Sequence, residues 1–570
     1  MPNSIVVDLH STALTRPVGH PLLRCGRGVS EHSELRPFMP SRYYTLASVL
    51  AIFIASLVLE FIYKAHWVTW PLIVISGFLS FVGVTDVLQT RQAIRRNYPI
   101  LSHFRFLFEY IRPEIRQYFI ESDNEAAPFS RASRSLVYQR AKRDSDKRPF
   151  GTQLDVYATG YEWMNHSIAP ATQSPRDFRL TIGYGDKAYS ASVFNISAMS
   201  FGALSANAIR ALNKGAKAGN FAHDTGEGSI SRYHREHGGD LIWELGSGYF
   251  GCRTADGKFD PIRFAEQAQD PQVKMVELKL SQGAKPGHGG VLPGPKVTPE
   301  IAETRGVTVG VDCVSPAKHS VFSTPIEMLE FIAKMRELSG GKPAGMKLAI
   351  GHPWEFFAIA KAMVKTGITP DFIVVDGSEG GTGAAPVEFT DHVGVPLREA
   401  LLLVHNTLLG VGLRDRIKIG ASGKLVSAFD IARTMAMGAD WCNSARGFMF
   451  AVGCIQAQTC HTGNCPTGVT TQDALRQRAL VVPDKATRVS EFHGSTLHAL
   501  AELVAAAGLT HPNQLRPEHI IRRISSTEVT SLATLYKFLK PGELLDDTTS
   551  HRVFAYYWGK ARAETFALTH

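Results

Sequence analysis

GMKLAIGHPWEFFAIAKAMVKTGITPDFIVVD, residues 345–376, holds one complete strand–helix–strand unit. Residues 345–350 form a short apolar run. Residues 353–365 carry apolar side chains at helical spacing behind Pro353, which suits a first helical turn, and residues 371–376 form a second apolar run. Short strands joined through a helix belong in a parallel sheet with both faces covered. The same alternation extends in both directions. Further candidate strands lie at 192–200, 221–225, 275–280, 307–314, 417–420 and 440–444, with helices at 206–218 and 326–338. Eight such strands predict an α/β fold, a TIM (β/α)8 barrel, with its site at the strand C-termini.

Chemistry gathers where those strands end. Lys347 lies inside the apolar run MKLAI and needs a partner, either an anionic ligand or an internal salt bridge. Glu227 follows the second strand and could handle protons or bond to the glycine backbone around it. The segment 279–290, KLSQGAKPGHGG, sets Lys279, Gln282, Lys285 and His288 among glycines, and its lysines suit carboxylates; a solvated basic loop is the alternative. The turns GASGK (420–424) and NSARG (443–447) follow strands seven and eight, where barrels hold phosphate, although ordinary tight turns look the same. GSGYFG (246–251) fits a dinucleotide fingerprint, but the polar turn after it offers no helix N-terminus, so no direct NAD(P)H site is expected.

Residues 453–471, GCIQAQTCHTGNCPTGVTT, concentrate Cys454, Cys460 and Cys465 in a glycine-rich loop. Three thiols and a following proline suit an iron–sulfur cluster. Zinc with His461 as fourth ligand, or merely buried or bridged cysteines, are the other readings. Seven cysteines in 570 residues make no disulfide scaffold, and they favour a reducing compartment.

Residues 44–63 and 67–88 are apolar runs long enough to cross a membrane as a hairpin, with Tyr43, Tyr44, Trp67 and Trp70 at interfacial positions. Glu60 and Asp86 keep a buried soluble hairpin open as an alternative. Arginines flank the pair on both sides, which predicts a two-span protein with its main domain facing the cytoplasm. Of the net charge of +9, residues 91–148 supply +6, from 13 Lys and Arg against 7 Asp and Glu. That excess lies beside the apolar part, which points to membrane lipid rather than nucleic acid as the charged partner. The expected organisation is a polar segment at 1–43, the hairpin at 44–90 and a basic juxtamembrane helix and linker at 91–150, whose cations rest on lipid headgroups or simply face water. The barrel with its cysteine loop follows at 151–490, and a helical extension at 491–570.

AMSFGALS (198–205), DTGEGSIS (224–231), GSGYFGCR (246–253), QGAKPGHGGVLPGPKV (282–297), GMKLAIG (345–351), DGSEGGTGAAP (376–386) and GCIQAQTCHTGNCPTGVTTQ (453–472) together resemble the FMN-binding synthase domain of glutamate synthases. The resemblance implies FMN on the barrel and a 3Fe-4S cluster on Cys454, Cys460 and Cys465. It further implies reduction of the imine of 2-oxoglutarate and ammonia to glutamate. Carried over by motif, Met199, Ser200, Gln282, Lys347, Gly381, Gly423, Ala445, Arg446 and Gly447 line FMN. Lys279 and Lys285 serve the flavin edge or the 2-oxoacid substrate, and Lys347, Lys285, Glu227 and Gln282 are expected to form the catalytic set.

Three departures qualify this. No glutaminase with a leading cysteine nucleophile is expected before the barrel, Met1-Pro2 opening the chain and Cys25 lying in unpatterned sequence; the C-terminal domain of full-length enzymes is expected to be missing or replaced; and His288 stands where the family has an acid. Ammonia is therefore expected from solution or another subunit, and electrons from a ferredoxin or reductase subunit. The same chemistry on another amino or N-alkylamino acid, an electron-relay role in a membrane complex, and assembly with further copies of the chain stand as alternatives.

Overall fold

The computed structural model describes residues 41–124, 127–172, 177–546 and 549–569. Cys25 and nearly all of the 1–43 segment lie outside them. The contacts divide the chain into residues 1–119 and residues 120–570, so the boundary falls inside the segment expected to be one linker.

The first unit is built on helices α1 (Tyr44–Tyr63) and α2 (His66–Leu88), which pack on each other through a connector in which Lys64 adopts a left-handed conformation. Their burial pattern is inverted relative to a water-soluble pair. Ser56, Thr69, Ser76, Ser80 and Asp86 are buried between the helices, whereas Phe61, Phe78 and Phe81 are 86%, 65% and 69% exposed. Glu60 is bonded by Thr69 and His66, and Asp86 accepts from Ile100 N–H at 3.0 Å and faces His103 Nε2 at 2.9 Å. Both carboxylates of the hairpin are thus met inside the unit. Helix α3 (Ser102–Ile115) follows at this corner.

In the second unit, α4 (Arg131–Lys142) begins at Ser130, whose side chain caps Ser133 N–H. Eight parallel strands then close a barrel: β1 Phe194–Ile196, β2 His223–Asp224, β3 Leu241–Leu245, β4 Val273–Lys279, β5 Ala344–Leu348, β6 Phe372–Asp376, β7 Lys418–Ser422 and β8 Trp441–Ser444. Strand β8 pairs with β1 through Cys442 against Phe194. Among the intervening helices, α5 (Ala206–Gly219), α6 (Pro325–Leu338) and α7 (Pro353–Thr366) start where Ser205 and Thr324 cap two of them and Pro353 opens the third.

One expected strand is corrected. Residues 307–314 lie outside the barrel, and only Cys313–Val314 is extended there, paired antiparallel with Val291–Leu292. Its valines are not a core face, since Val309, Val311 and Val314 are at least half exposed. The eighth stave is β3, LIWEL, which had not been expected.

The interior is layered because side chains two residues apart on a strand share a face. At one end Ile242, Met275, Phe372 and Trp441 pack with Ile182 and Tyr189 from a hairpin of strands Arg179–Ile182 and Tyr189–Ser192, which plugs the barrel. One step further toward the strand C-termini the layer turns polar, with Glu244 above Ile242 and Glu277 above Met275. After β8 come the short α8 (Arg446–Ala451) and the long α9 (Val482–Ala506), which packs on α4 and α5. The remainder is not wholly helical, because Ile520–Arg523 pairs with both Glu162–Met164 and Val529–Ser531.

Candidate active site at the barrel mouth

The polar layer joins Asp224, Glu244, Glu277 and Lys347, each at most 4% exposed. One carboxylate oxygen from each of the three acids lies within 4.8 Å of the others. Lys347 Nζ bonds Glu244. Burial alone would lower the Lys347 pKa, but Glu244, Asp224, Glu277 and Asp376 outweigh it and hold the ammonium well above its usual range. The acids respond in the opposite sense. Burial, with Glu244 beside it, pushes Asp224 up to about 7 against the pull of Lys347. Glu277 is raised well above its usual value by burial and then by Asp224.

Above this layer Lys279 Nζ lies 2.9 Å from Glu227 Oε2. Burial acts to raise Glu227, yet Lys279, Arg305 and Lys285 together hold it below the ordinary carboxylate range. Lys285 is 2% exposed, and burial lowers its pKa against the field of Glu227. Glycines make the approach possible. A Cβ at Gly290 would come 2.0 Å from Glu227 Oε1, and one at Gly226, where φ is +65°, would come 2.8 Å from Ser200 N. Met199 and Ser200 are thereby set beside the Glu227 turn, and Arg305 Nη2 holds the same loop by bonding Phe201 O at 2.9 Å. The loop bearing Gln282 is fixed on the end of β6, with Gly283 N–H donating to Asp376 Oδ2 at 2.8 Å. The structure thus brings Met199, Ser200, Glu227, Lys279 and Lys285 to one barrel mouth, with Gln282 on its rim and Lys347 in the buried layer beneath.

At the neighbouring turns, Gly423 follows β7 with φ +156°, and Ala445 precedes α8 without any side-chain cap. The first N–H groups of α8, at Arg446 and Gly447, therefore meet no capping oxygen and suit an anion. Gly381 faces Arg446, whose guanidinium would lie 3.7 Å from a Cβ there.

The three cysteines are free thiols around one hollow, lined also by Pro466, Thr467 and Thr470, with about 250 Å³ of space including the part open to solvent. Among the described residues only Asp224, Glu244 and Glu277 bring three such ligand atoms within 4.8 Å of one another, so the sulfurs do not converge as one tetrahedral ion with bonds of about 2.3 Å would need. Burial raises the Cys454 thiol. For Cys465 burial is outweighed by hydrogen bonds from Thr467 and Thr470, which bring it down to about 7. Lys296, 6% exposed, ties the loop down by donating to Cys460 O at 2.7 Å and Thr470 O at 3.1 Å. From the other side Tyr138 of α4 donates to Cys454 O at 2.6 Å. A Cβ at Gly383, in the loop after β6, would lie 3.4 Å from Cys460 Cβ.

Sequence reading missed Glu244, Asp224, Glu277, Arg305 and Lys296. The signal for Glu244 was present, since an acid inside LIWEL mirrors the lysine inside MKLAI. The rejected GSGYFG stretch has a structural use instead. Its Gly246 passes against Glu227, and Tyr249 OH accepts from Ser320 N–H at 3.0 Å beside His319, which bonds Lys279 O.

Residues 184–510, more than half of the chain, match the conserved region in glutamate synthase. The chain belongs to the glutamate synthase family. It is 38% identical over 499 residues to the glutamate synthase large subunit-like protein YerD of Bacillus subtilis, covering 80% of this chain and 94% of that one. It is also 35% identical to the archaeal-type glutamate synthase [NADPH] of Thermotoga neapolitana, over 56% of this chain and 60% of that one. Among solved structures, the flavin-binding domain of baker's yeast flavocytochrome b2 aligns at 12% identity with a TM-score of 0.39, covering 80% and 93% of the two chains.

Proposed function

We propose that this member of the glutamate synthase family is a membrane-anchored oxidoreductase that uses FMN and a 3Fe-4S cluster to reduce the imine of 2-oxoglutarate and ammonia to glutamate. The observation that carries the reading is the meeting of Glu227, Lys279 and Lys285 at the barrel mouth, one loop away from three free thiols around one hollow. The donor sets fit the groups named. Gly423, Ala445, Arg446 and Gly447 offer backbone N–H groups to a phosphate, Met199, Ser200, Gln282 and Gly381 stand around the mouth, and Lys347 lies in the layer beneath it as a permanent cation. Cys454, Cys460 and Cys465 are spaced for a multi-iron group rather than one ion.

Once bound, FMN supplies a hydride and the cluster supplies single electrons from a separate donor such as a ferredoxin or reductase subunit. The protein's own part is charge and protons. Lys279 and Lys285 hold the carboxylates of the 2-oxoacid. Glu227, kept ionised by Lys279, takes a proton from ammonium, and Lys285, whose proton is loosened by burial, returns one to the hydroxyl that leaves as water when the imine forms. The hairpin anchors this domain to the membrane. Ser56, Thr69, Ser76 and Ser80 are turned inward and Phe61, Phe78 and Phe81 outward, the arrangement expected of helices surrounded by lipid.

Anaerobic purification followed by optical and EPR spectra, then reoxidation of the reduced protein by a panel of 2-oxoacids with ammonium, tests this. Flavin bands, a three-iron signal and reoxidation by 2-oxoglutarate are expected. A protein with flavin but no cluster signal and no reaction with any 2-oxoacid would sink the proposal, and reoxidation by a different acid alone would correct the substrate.

A further inference from the structure

We infer that α3 is an interfacial helix, lying in the headgroup layer of an anionic leaflet and fixed to the end of the hairpin by Asp86. The inference rests on the reading of α1 and α2 as membrane spans, and it concerns a helix too short and too charged to span.

Phe104, Leu107, Phe108, Ile111 and Ile115 recur at i, i+3, i+4, i+7 and i+11, which places them in one stripe along α3. The first unit leaves that stripe open: Phe104, Leu107 and Phe108 are 56%, 50% and 60% exposed. The adjoining face carries Arg105, Glu109 and Arg112. Over residues 91–119 six arginines stand against two glutamates, so the surroundings of the stripe are cationic. An exposed aromatic stripe beside arginines matches the boundary between acyl chains and anionic headgroups, where rings enter the apolar side and guanidinium groups stay with phosphate.

The corner that orients α3 is built rather than loose. Asp86, 4% exposed at the end of α2, binds both Ile100 N–H and His103 Nε2. Ile100 is held at φ +69°, a costly conformation for a β-branched residue. A Cβ at Gly83 would meet Leu46 of α1 at 2.5 Å and Ile100 at 3.1 Å, so a glycine there lets both side chains close on α2. This corner holds α3 at the membrane-surface end of the hairpin while its stripe stays uncovered.

Photocrosslinking of the full chain in lipid nanodiscs tests the inference. p-Benzoylphenylalanine replaces, one at a time, Phe104, Phe108 and Ile115 on the stripe, Glu109 on the charged face, and Phe78 in the hairpin. Lipid adducts at Phe104, Phe108, Ile115 and Phe78 but not at Glu109 are expected. The Phe108 yield should fall at least about threefold from phosphatidylglycerol to phosphatidylcholine discs, as attraction of arginines to an anionic surface requires. Lipid adducts at Phe78 with none on α3, with protein adducts on α3, or with equal yields at Glu109 would overturn the interfacial placement and leave the spans standing. Absence of lipid adducts at Phe78 as well would overturn the membrane reading itself.

Discussion

Lys279 Nζ is 2.9 Å from Glu227 Oε2 and 3.9 Å from Glu244 Oε1, so one ammonium links the acid at the barrel mouth to the carboxylates buried beneath it. The site is therefore a column of alternating charge, Glu227, Lys279, Glu244 and Lys347, rather than a row of independent side chains. Removing one member exposes the next to an uncompensated neighbour.

Glu227→Gln keeps the shape of the column and removes the carboxylate proposed to take a proton from ammonium. Ammonium-dependent glutamate formation is expected to fall by about 10²–10⁴-fold, the range for loss of a positioned acid–base group. Steady-state rates with saturating ammonium check this, and an unaltered kcat would remove Glu227 from the chemistry.

Lys347→Met leaves three buried acids without their central cation. Breaking a buried pair on one side costs about 3–5 kcal/mol, more than removing both partners together. Urea unfolding of Lys347→Met, Glu244→Gln and the double variant should therefore show the double variant more stable than the lysine single. A loss in the double variant equal to the sum of the two single losses would mean that the Lys347–Glu244 bond carries no coupling.

The pH dependence of stability should contain a contribution from Asp224. Burial, and after it Glu244, raises its folded pKa from 3.8 to about 7. The folded state then keeps a proton that the unfolded chain has released, so stability from this group is full below about pH 4 and declines as pH rises to about 7, by up to about 4 kcal/mol. Asp224→Asn, which can still accept the Gly226 N–H bond, should gain stability relative to the parent between pH 5 and pH 8 in thermal melts. A constant difference across that range would refute the shift.

Lys296→Met takes a buried cation away from the carbonyls of the cysteine loop. Less positive charge and fewer hydrogen bonds beside a cluster favour its oxidised form, so the midpoint potential in an EPR-monitored titration should become more negative. Lys296→Arg should restore most of the change, and identical potentials in all three proteins would confine Lys296 to a structural role.

Much of this was legible where chemistry interrupts a pattern. Lys347 stands out because a cation in MKLAI violates an apolar strand, and the cysteines because three fall within twelve residues. Glu244 obeys the same logic, but LIWEL is only five residues long and runs directly into the glycine-rich GSGYFG turn, so the strand carries little signal of its own. Residues 307–314 misled in the opposite way. The apolar run reads as a strand, yet Val309 and Val311 are at least half exposed in a loop, and only Cys313–Val314 pairs, antiparallel with Val291–Leu292 and outside the barrel. The partnership of Lys296 with the cysteine loop joins residues 164 positions apart, and no local periodicity encodes that. The inward-facing serines of the hairpin are likewise visible only once α1 and α2 are seen against each other.

Barrel closure also has a timetable. Strand β1 acquires its second neighbour only when β8 arrives, through Phe194 and Cys442, about 250 residues later. At about 5–20 residues per second the ribosome needs roughly 12–50 s to supply it. During that interval β1 is an open edge, and its three-residue length limits how readily another chain can pair with it. The hairpin that plugs the barrel precedes all eight staves in the chain, so a scaffold for their inner ends exists before the ring can shut.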